Sequence, residues 1–309
     1  MTDRTGIVIL SHFDDRSLMR HCADMLRDCG AAYDVFLLSD RTQPSLTLAR
    51  RPRGLREIRF VIDDLIGLGY PQRQGLAIGR SGRRNLKLGN ADLPLLLFYL
   101  SHPGYRYYWL VEYDVRFTGS WRELFAAFDD NDADLLGTSL RRFEDSPGWD
   151  HWGGVHVPIL APDSYERLRG FFPIYRVSHR ALAVLHDAGL RGCSGHMEGV
   201  MPTLLYNLGL RIEDIGGDGE FVRPGHTNRY YRNTLAGDSL SPGTFVYRPV
   251  IAKAGDEPNK LWHPVKAARS PLVRLSRGAY SAAAGALLAY KRRLWQRGSR
   301  RRPARPRDQ

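Results

Sequence analysis

The 309 residues suffice for one large α/β domain or two small ones, and 43% hydrophobic with 25% charged residues is an ordinary globular composition. No apolar run approaches the roughly 18 residues of a membrane-spanning helix; the opening MTDRTGIVIL lacks a secretion-signal layout, and Cys22, Cys29 and Cys193 form neither a disulfide framework nor a metal-ligand pair, so a cytoplasmic protein is expected. The net charge of +12 is concentrated in residues 267–309, where twelve Arg or Lys face one Asp, and the near-neutral remainder argues against a nucleic-acid-binding body.

Gly6 to Leu10 (GIVIL) reads as a buried strand ending at Ser11-His12. Leu18, Cys22, Met25 and Leu26 then recur at helical spacing until Gly30, and Tyr33 to Leu38 forms a second strand ending at Ser39-Asp40. Strand, helix and strand in so short a span make a βαβ unit and predict a parallel sheet. A third strand is expected near Ile58 to Ile62. The Gly- and Arg-rich stretch from Gly67 to Gly89 follows no Walker or dinucleotide spacing, yet Arg80, Arg83, Arg84 and Lys87 are of the type that contacts phosphates. A helix from Asn90 to Leu100, with Pro94 in its first turn, precedes the central stretch.

That stretch, Tyr107 to Trp121, opens with the apolar run YYWLV of a strand buried on both faces. Glu112 and Asp114 follow one residue apart, and on extended backbone such a pair points the same way and can reach one cation. Trp121 to Phe128 reads as an amphipathic helix and Ala133 to Leu140 as a strand. The loop from Arg141 to Val157 carries Trp149 and Trp152, which suit either a stacking wall for sugar rings or a plug against the core. Phe171 to Ser178 leads into a helix with Ser178 as its cap, and a second helix opens near Glu198 and runs to about Leu208. A strand from Leu210 to Ile215, a long Gly/Pro/Tyr/Asn-rich loop from Phe221 to Arg248, and Lys260 to Lys266 complete the body.

The segment Tyr-Trp, then Glu-x-Asp-Val, then Phe117 resembles the metal-binding motif of GT-A glycosyltransferases, nucleotide-sugar-dependent enzymes with a Rossmann-like half. It is most similar to the variant in fungal α-mannosyltransferases and related uncharacterised families, and departs from the usual Asp-x-Asp in having Glu-Tyr-Asp. The resemblance implies an α/β fold, a Rossmann-like mixed, mostly parallel sheet flanked by helices, as one catalytic domain over residues 1–266 with 267–309 as a basic tail. It implies Glu112, Asp114 and His263 as ligands of Mn²⁺ or Mg²⁺, and Lys266 as a charge partner of the leaving diphosphate. Ser11, His12 and Asp40 then belong to the donor pocket, with Arg83, Arg84 and Lys87 on its phosphates, while strand-end capping is the plainer role of the first three. Ser178, Trp149 and Trp152 fall on the acceptor side, and Glu198 takes the place of the base if the reaction inverts configuration.

The function expected is transfer of a sugar from a nucleotide-diphosphate donor to a glycan or lipid-linked hydroxyl acceptor. The tail, apolar residues among many arginines, suits attachment to the inner, anionic face of a membrane. Two readings compete: a non-catalytic polyanion- or membrane-binding protein on a degenerate enzyme fold, and a nucleotidyltransferase.

Overall fold

The computed structural model describes residues 4–43, 49–73, 86, 89–162, 164–232 and 243–266. In chain order these residues form β1 (Thr5–Ser11), α1 (Arg16–Cys29), β2 (Asp34–Asp40), β3 (Arg56–Phe60), α2 (Ile62–Ile66) and α3 (Asp92–Ser101). There follow β4 (Tyr107–Glu112), β5 (Arg116–Phe117), α4 (Trp121–Ala126), β6 (Leu135–Gly137), β7 (Arg141–Arg142), β8 (Leu168–Arg169) and β9 (Ile174–Ser178). Last come α5 (His179–Leu190), α6 (Met197–Asn207), β10 (Ile212–Asp214) and β11 (Leu261–Trp262).

Seven strands make one sheet in the order β10-β6-β9-β4-β1-β2-β3, parallel except for β9, which runs against both β4 and β6. This is the expected mixed, mostly parallel sheet flanked by helices. Period-two alternation sorts its side chains into two cores. Val8, Phe36, Leu38, Tyr108, Leu110 and Tyr175 pack with α3, α5 and α6 on one face. Ile7, Ile9, Val35, Leu37, Trp109 and Val111 pack with α1 and α4 on the other. The unbroken apolar run of β4 is therefore what a strand covered on both sides requires.

The chain leaves β1 through α1 toward β2 and β3, then returns through α3 to place β4 on the opposite side of β1. Where strand order reverses in this way, a crevice opens beyond the carboxyl ends of the two strands. Here those ends are Leu10-Ser11 and Glu112, paired in register Leu10 to Glu112.

Three features were not legible in advance. The strand expected over residues 133–140 is only Leu135–Gly137, because Ser139 takes a φ of 53° and turns the chain. Because β9 is antiparallel, its first residue pairs with Val111 at the crevice and its last, Ser178, pairs with Tyr107 at the far edge. Finally, β11 returns beside β5, and residues 244–251 run alongside 263–265 in parallel bridges. Val265 N–H donates to the Asp114 carbonyl at 2.8 Å, which fixes this return against the acidic turn. Among the described residues no helix is long and apolar enough to cross a membrane.

Candidate active site and metal centre

Glu112 ends β4 and, by alternation with Tyr108 and Leu110, faces the side of the sheet that carries α6. The next residues turn tightly: Tyr113 N–H donates to the Leu10 carbonyl at 3.1 Å and Val115 N–H to the Glu112 carbonyl at 3.0 Å. This turn places Asp114 inward, at 2% exposure. The β11 return then sets His263 and Lys266 on it. Lys266 Nζ lies 3.0 Å from Asp114 Oδ2, and His263 Nε2 lies 3.6 Å from Asp114 Oδ1.

One ligand atom each from Glu112, Asp114 and His263 lies within 4.8 Å of the other two. His263 Nδ1 is 2.7 Å from the Val246 carbonyl, an acceptor, so Nδ1 carries the proton and Nε2 presents its lone pair to the cluster. Asp114 Oδ1 is buried and has no hydrogen-bond partner. A buried carboxylate oxygen without a donor is costly, and here it faces an imidazole lone pair beside a second carboxylate. Lys266 neutralises only the Oδ2 side of Asp114, so a cation among the three ligand atoms would satisfy the remaining oxygen and lone pair. Two carboxylates and an imidazole suit Mn²⁺ or Mg²⁺, the nitrogen ligand favouring the former.

The electrostatics agree. Burial, with Asp114 and then Glu198 nearby, pushes the Glu112 carboxyl up to about 8, against the pull of Lys266. Burial lowers the His263 pKa although Asp114 opposes it, which favours the neutral imidazole a metal needs. Burial also works against the Lys266 charge, but Asp114 and Tyr113 outweigh it and the ammonium is held more firmly than usual.

Glu198, in the first turn of α6, is near enough to Glu112 to disfavour its charge. The Phe172 N–H donates to Glu198 Oε1 at 3.0 Å, and Glu198 Oε2 is 3.7 Å from His196 Nδ1. Burial raises its carboxyl to about 7, with the Phe172 N–H and the Arg169 charge opposing. Trp149 lies over the same turn: a Cβ on Gly199 would meet the Trp149 ring at 3.0 Å and Val155 at 2.7 Å. The α6 helix thus brings Glu198 close under the indole because residue 199 has no side chain.

The other expected residues divide. Ser11 serves its own turn, donating to the Phe13 carbonyl at 2.8 Å, and Asp40 accepts from the Thr42 N–H at 2.8 Å. Both stand at the crevice edge as strand-end caps. His12 is exposed there with its ring edge-on to Tyr113 at 5.1 Å. Trp152 is a plug: buried, its Nε1 donates to the Ser146 carbonyl at 2.9 Å. Ser178 is not brought to the site. It caps α5 through the Ala181 N–H at 3.1 Å and donates to Asp134 at 2.7 Å, at the opposite end of the sheet, because β9 runs antiparallel. Arg83, Arg84 and Lys87, with Arg80, lie outside the described residues, as do residues 267–309.

Arg169, His196 and the Phe172 N–H were missed. Nothing in a lone Arg before a glycine, or in a backbone amide, distinguishes Arg169 or the Phe172 N–H in sequence, and only the folded chain brings them to Glu198; His196 is there as the N-cap of α6, two residues before it.

A family model described as "Protein of unknown function (DUF3405)" matches residues 60–133, which include Glu112 and Asp114. No curated protein matches the sequence. Among solved structures, one assigned as a glucose-1-phosphate thymidylyltransferase from Bacillus anthracis, in complex with a sucrose, is similar at 11% identity and a TM-score of 0.33, covering 70% of this chain and 87% of that one. The core-mannan synthase A of Aspergillus fumigatus in its Mn/GDP form is similar at 12% identity and a TM-score of 0.33, covering 69% and 73%.

Proposed function

We propose that the chain is a metal-assisted glycosyltransferase that moves a sugar from a nucleotide-diphosphate donor to a hydroxyl acceptor. The observation that carries this is the cluster of Glu112, Asp114 and His263, with its unpartnered buried oxygen, at the crevice where strand order reverses and with a third carboxylate, Glu198, near enough to act on Glu112. A bound divalent cation would offset the negative charge that develops on the leaving diphosphate. The resemblance of residues 107–117 to the GT-A motif supports the same reading.

The residues then divide the work. Asp114 is held by Lys266 and the Val265 amide, so its free oxygen stays aimed at the cluster. Lys266 adds a fixed positive charge on the diphosphate side. Glu198, ionised, takes the proton of the acceptor hydroxyl as that oxygen bonds to the anomeric carbon, and the bond from that carbon to the diphosphate oxygen breaks with its electron pair. Direct displacement of this kind inverts the anomeric configuration. The half-buried indole of Trp149, over the Glu198 turn, offers the acceptor ring an apolar wall.

The test is a panel of nucleotide sugars screened by thermal shift with and without Mn²⁺. One donor is expected to raise Tm only with the metal, and Asp114→Ala is expected to abolish that shift. Stabilisation by nucleoside triphosphates alone, with pyrophosphate released, would replace this reading with a nucleotidyltransferase.

A further inference from the structure

Two arginines stand side by side on the β7–β8 hairpin, Arg141 paired in register with Arg169. Arg141 is fully engaged. It donates to the Leu140 carbonyl at 2.7 Å and to the Asp218 carbonyl at 2.6 Å, and it forms an ion pair with the Asp218 carboxylate. Arg169 is not. Its Nε donates to Ser146 Oγ at 2.8 Å, but no carboxylate lies within ion-pair distance of it among the described residues. Its guanidinium stands 5.9 Å from the centre of the Trp149 ring. Burial and the neighbouring Arg141 disfavour its charge, and Glu198 is the nearby group that supports it.

Arg169 stands on the Trp149 side of the crevice, near Glu198. A partly buried guanidinium whose Nη groups make no hydrogen bond to the described residues is a poorer wall for a neutral ligand than for an anion. It is a good wall for a planar or tetrahedral oxyanion, which the fork can grip with two parallel hydrogen bonds.

We propose that the acceptor is a sugar carrying an anionic group, a carboxylate or a phosphate, which Arg169 binds while the sugar ring rests on Trp149 and one hydroxyl meets Glu198. This rests on the glycosyltransferase reading and adds the acceptor's chemical class to it. Ser146 holds the guanidinium in orientation through Nε and leaves the Nη edge for the ligand. Arg169 acts here as a specificity-determining residue of the acceptor pocket.

The experiment is calorimetric titration of the full chain, with Mn²⁺ present, using glucose and mannose, their uronates, and their 6-phosphates. One anionic class is expected to bind at least about tenfold tighter than the parent sugar, the margin of one charge-assisted hydrogen bond. Uronate against phosphate distinguishes the two sources of charge. Arg169→Gln is expected to abolish the preference, and Arg169→Lys, which keeps charge without the fork, to retain part of it. Arg191→Gln, at an exposed ion pair with Asp187 beyond α5, is expected to keep it whole. Equal binding of parent and anionic sugars, absence of binding by every anion, or a preference surviving in Arg169→Gln overturns the proposal; if that variant does not fold, a full preference in Arg169→Lys does so. Metal-dependent nucleotide-sugar binding, measured on the same protein, separates the two failures. If it persists without an anion preference only the acceptor class falls, and if it is absent the glycosyltransferase reading falls as well.

Discussion

A carboxylate that stays protonated up to about pH 7 is a base only above that pH. Glu198 is in this state because burial disfavours its ionised form, with Glu112, Arg169 and His196 as the titratable or charged groups around it. Raising the pH through 7 ionises it, so kcat/KM for sugar transfer is expected to rise across roughly pH 6 to 8 and then level off. Glu198→Gln should remove that limb from the pH–rate profile and lower kcat about 10²- to 10⁴-fold, while leaving metal-dependent nucleotide binding intact. A profile unchanged by the substitution would remove Glu198 from the chemistry. The acids themselves were legible in sequence, because Glu112 and Asp114 interrupt an apolar run at a strand end. The partners that define their state were not. The Val246 carbonyl that orients His263 lies 17 residues away in sequence, and Arg169 has no local signature at all.

At the level of elements, close packing of α6 under the Trp149 loop is what delivers Glu198. Gly199→Ala forces a methyl into the indole and Val155, so a loss of about 1–3 kcal/mol is expected, measurable as a lower urea midpoint. Its kinetic effect should be on the acceptor side, since the cation cluster lies on other elements. Beneath the site, Arg73 and Asp92 form an ion pair with both side chains at 6% exposure. Asp92→Ala leaves the guanidinium buried without its partner, at a cost of about 3–5 kcal/mol, again read from denaturant unfolding. Element types and order were largely readable from hydrophobic periodicity, as the β1–α1–β2 unit and β4 show. Strand direction was not: β9 is buried throughout like its parallel neighbours, and only its pairing reveals that Ser178 lies at the edge of the sheet opposite the crevice. Nor could periodicity reveal β11, two residues long, whose pairing with β5 carries His263 to Asp114.

For the whole molecule, charge and chemistry are segregated. The site is built from residues before 267, whereas most of the net charge of +12 lies after 266. A chain ending at Lys266 is therefore expected to keep metal-dependent nucleotide binding and to lose whatever affinity the intact protein has for anionic vesicles in a sedimentation assay. The two halves of the central claim, a cation cluster and a strand-reversal crevice, meet only through the return of residues 244–266 across the carboxyl edge of the sheet. The most direct measurement is Mn²⁺ titration followed by electron paramagnetic resonance. One Mn²⁺ per chain is predicted, with affinity reduced in His263→Ala and Asp114→Ala by at least the ~10–100-fold that loss of a ligand's own hydrogen-bond partner causes. Binding unchanged in both variants, or no binding by the intact chain with or without a nucleoside diphosphate, would contradict it.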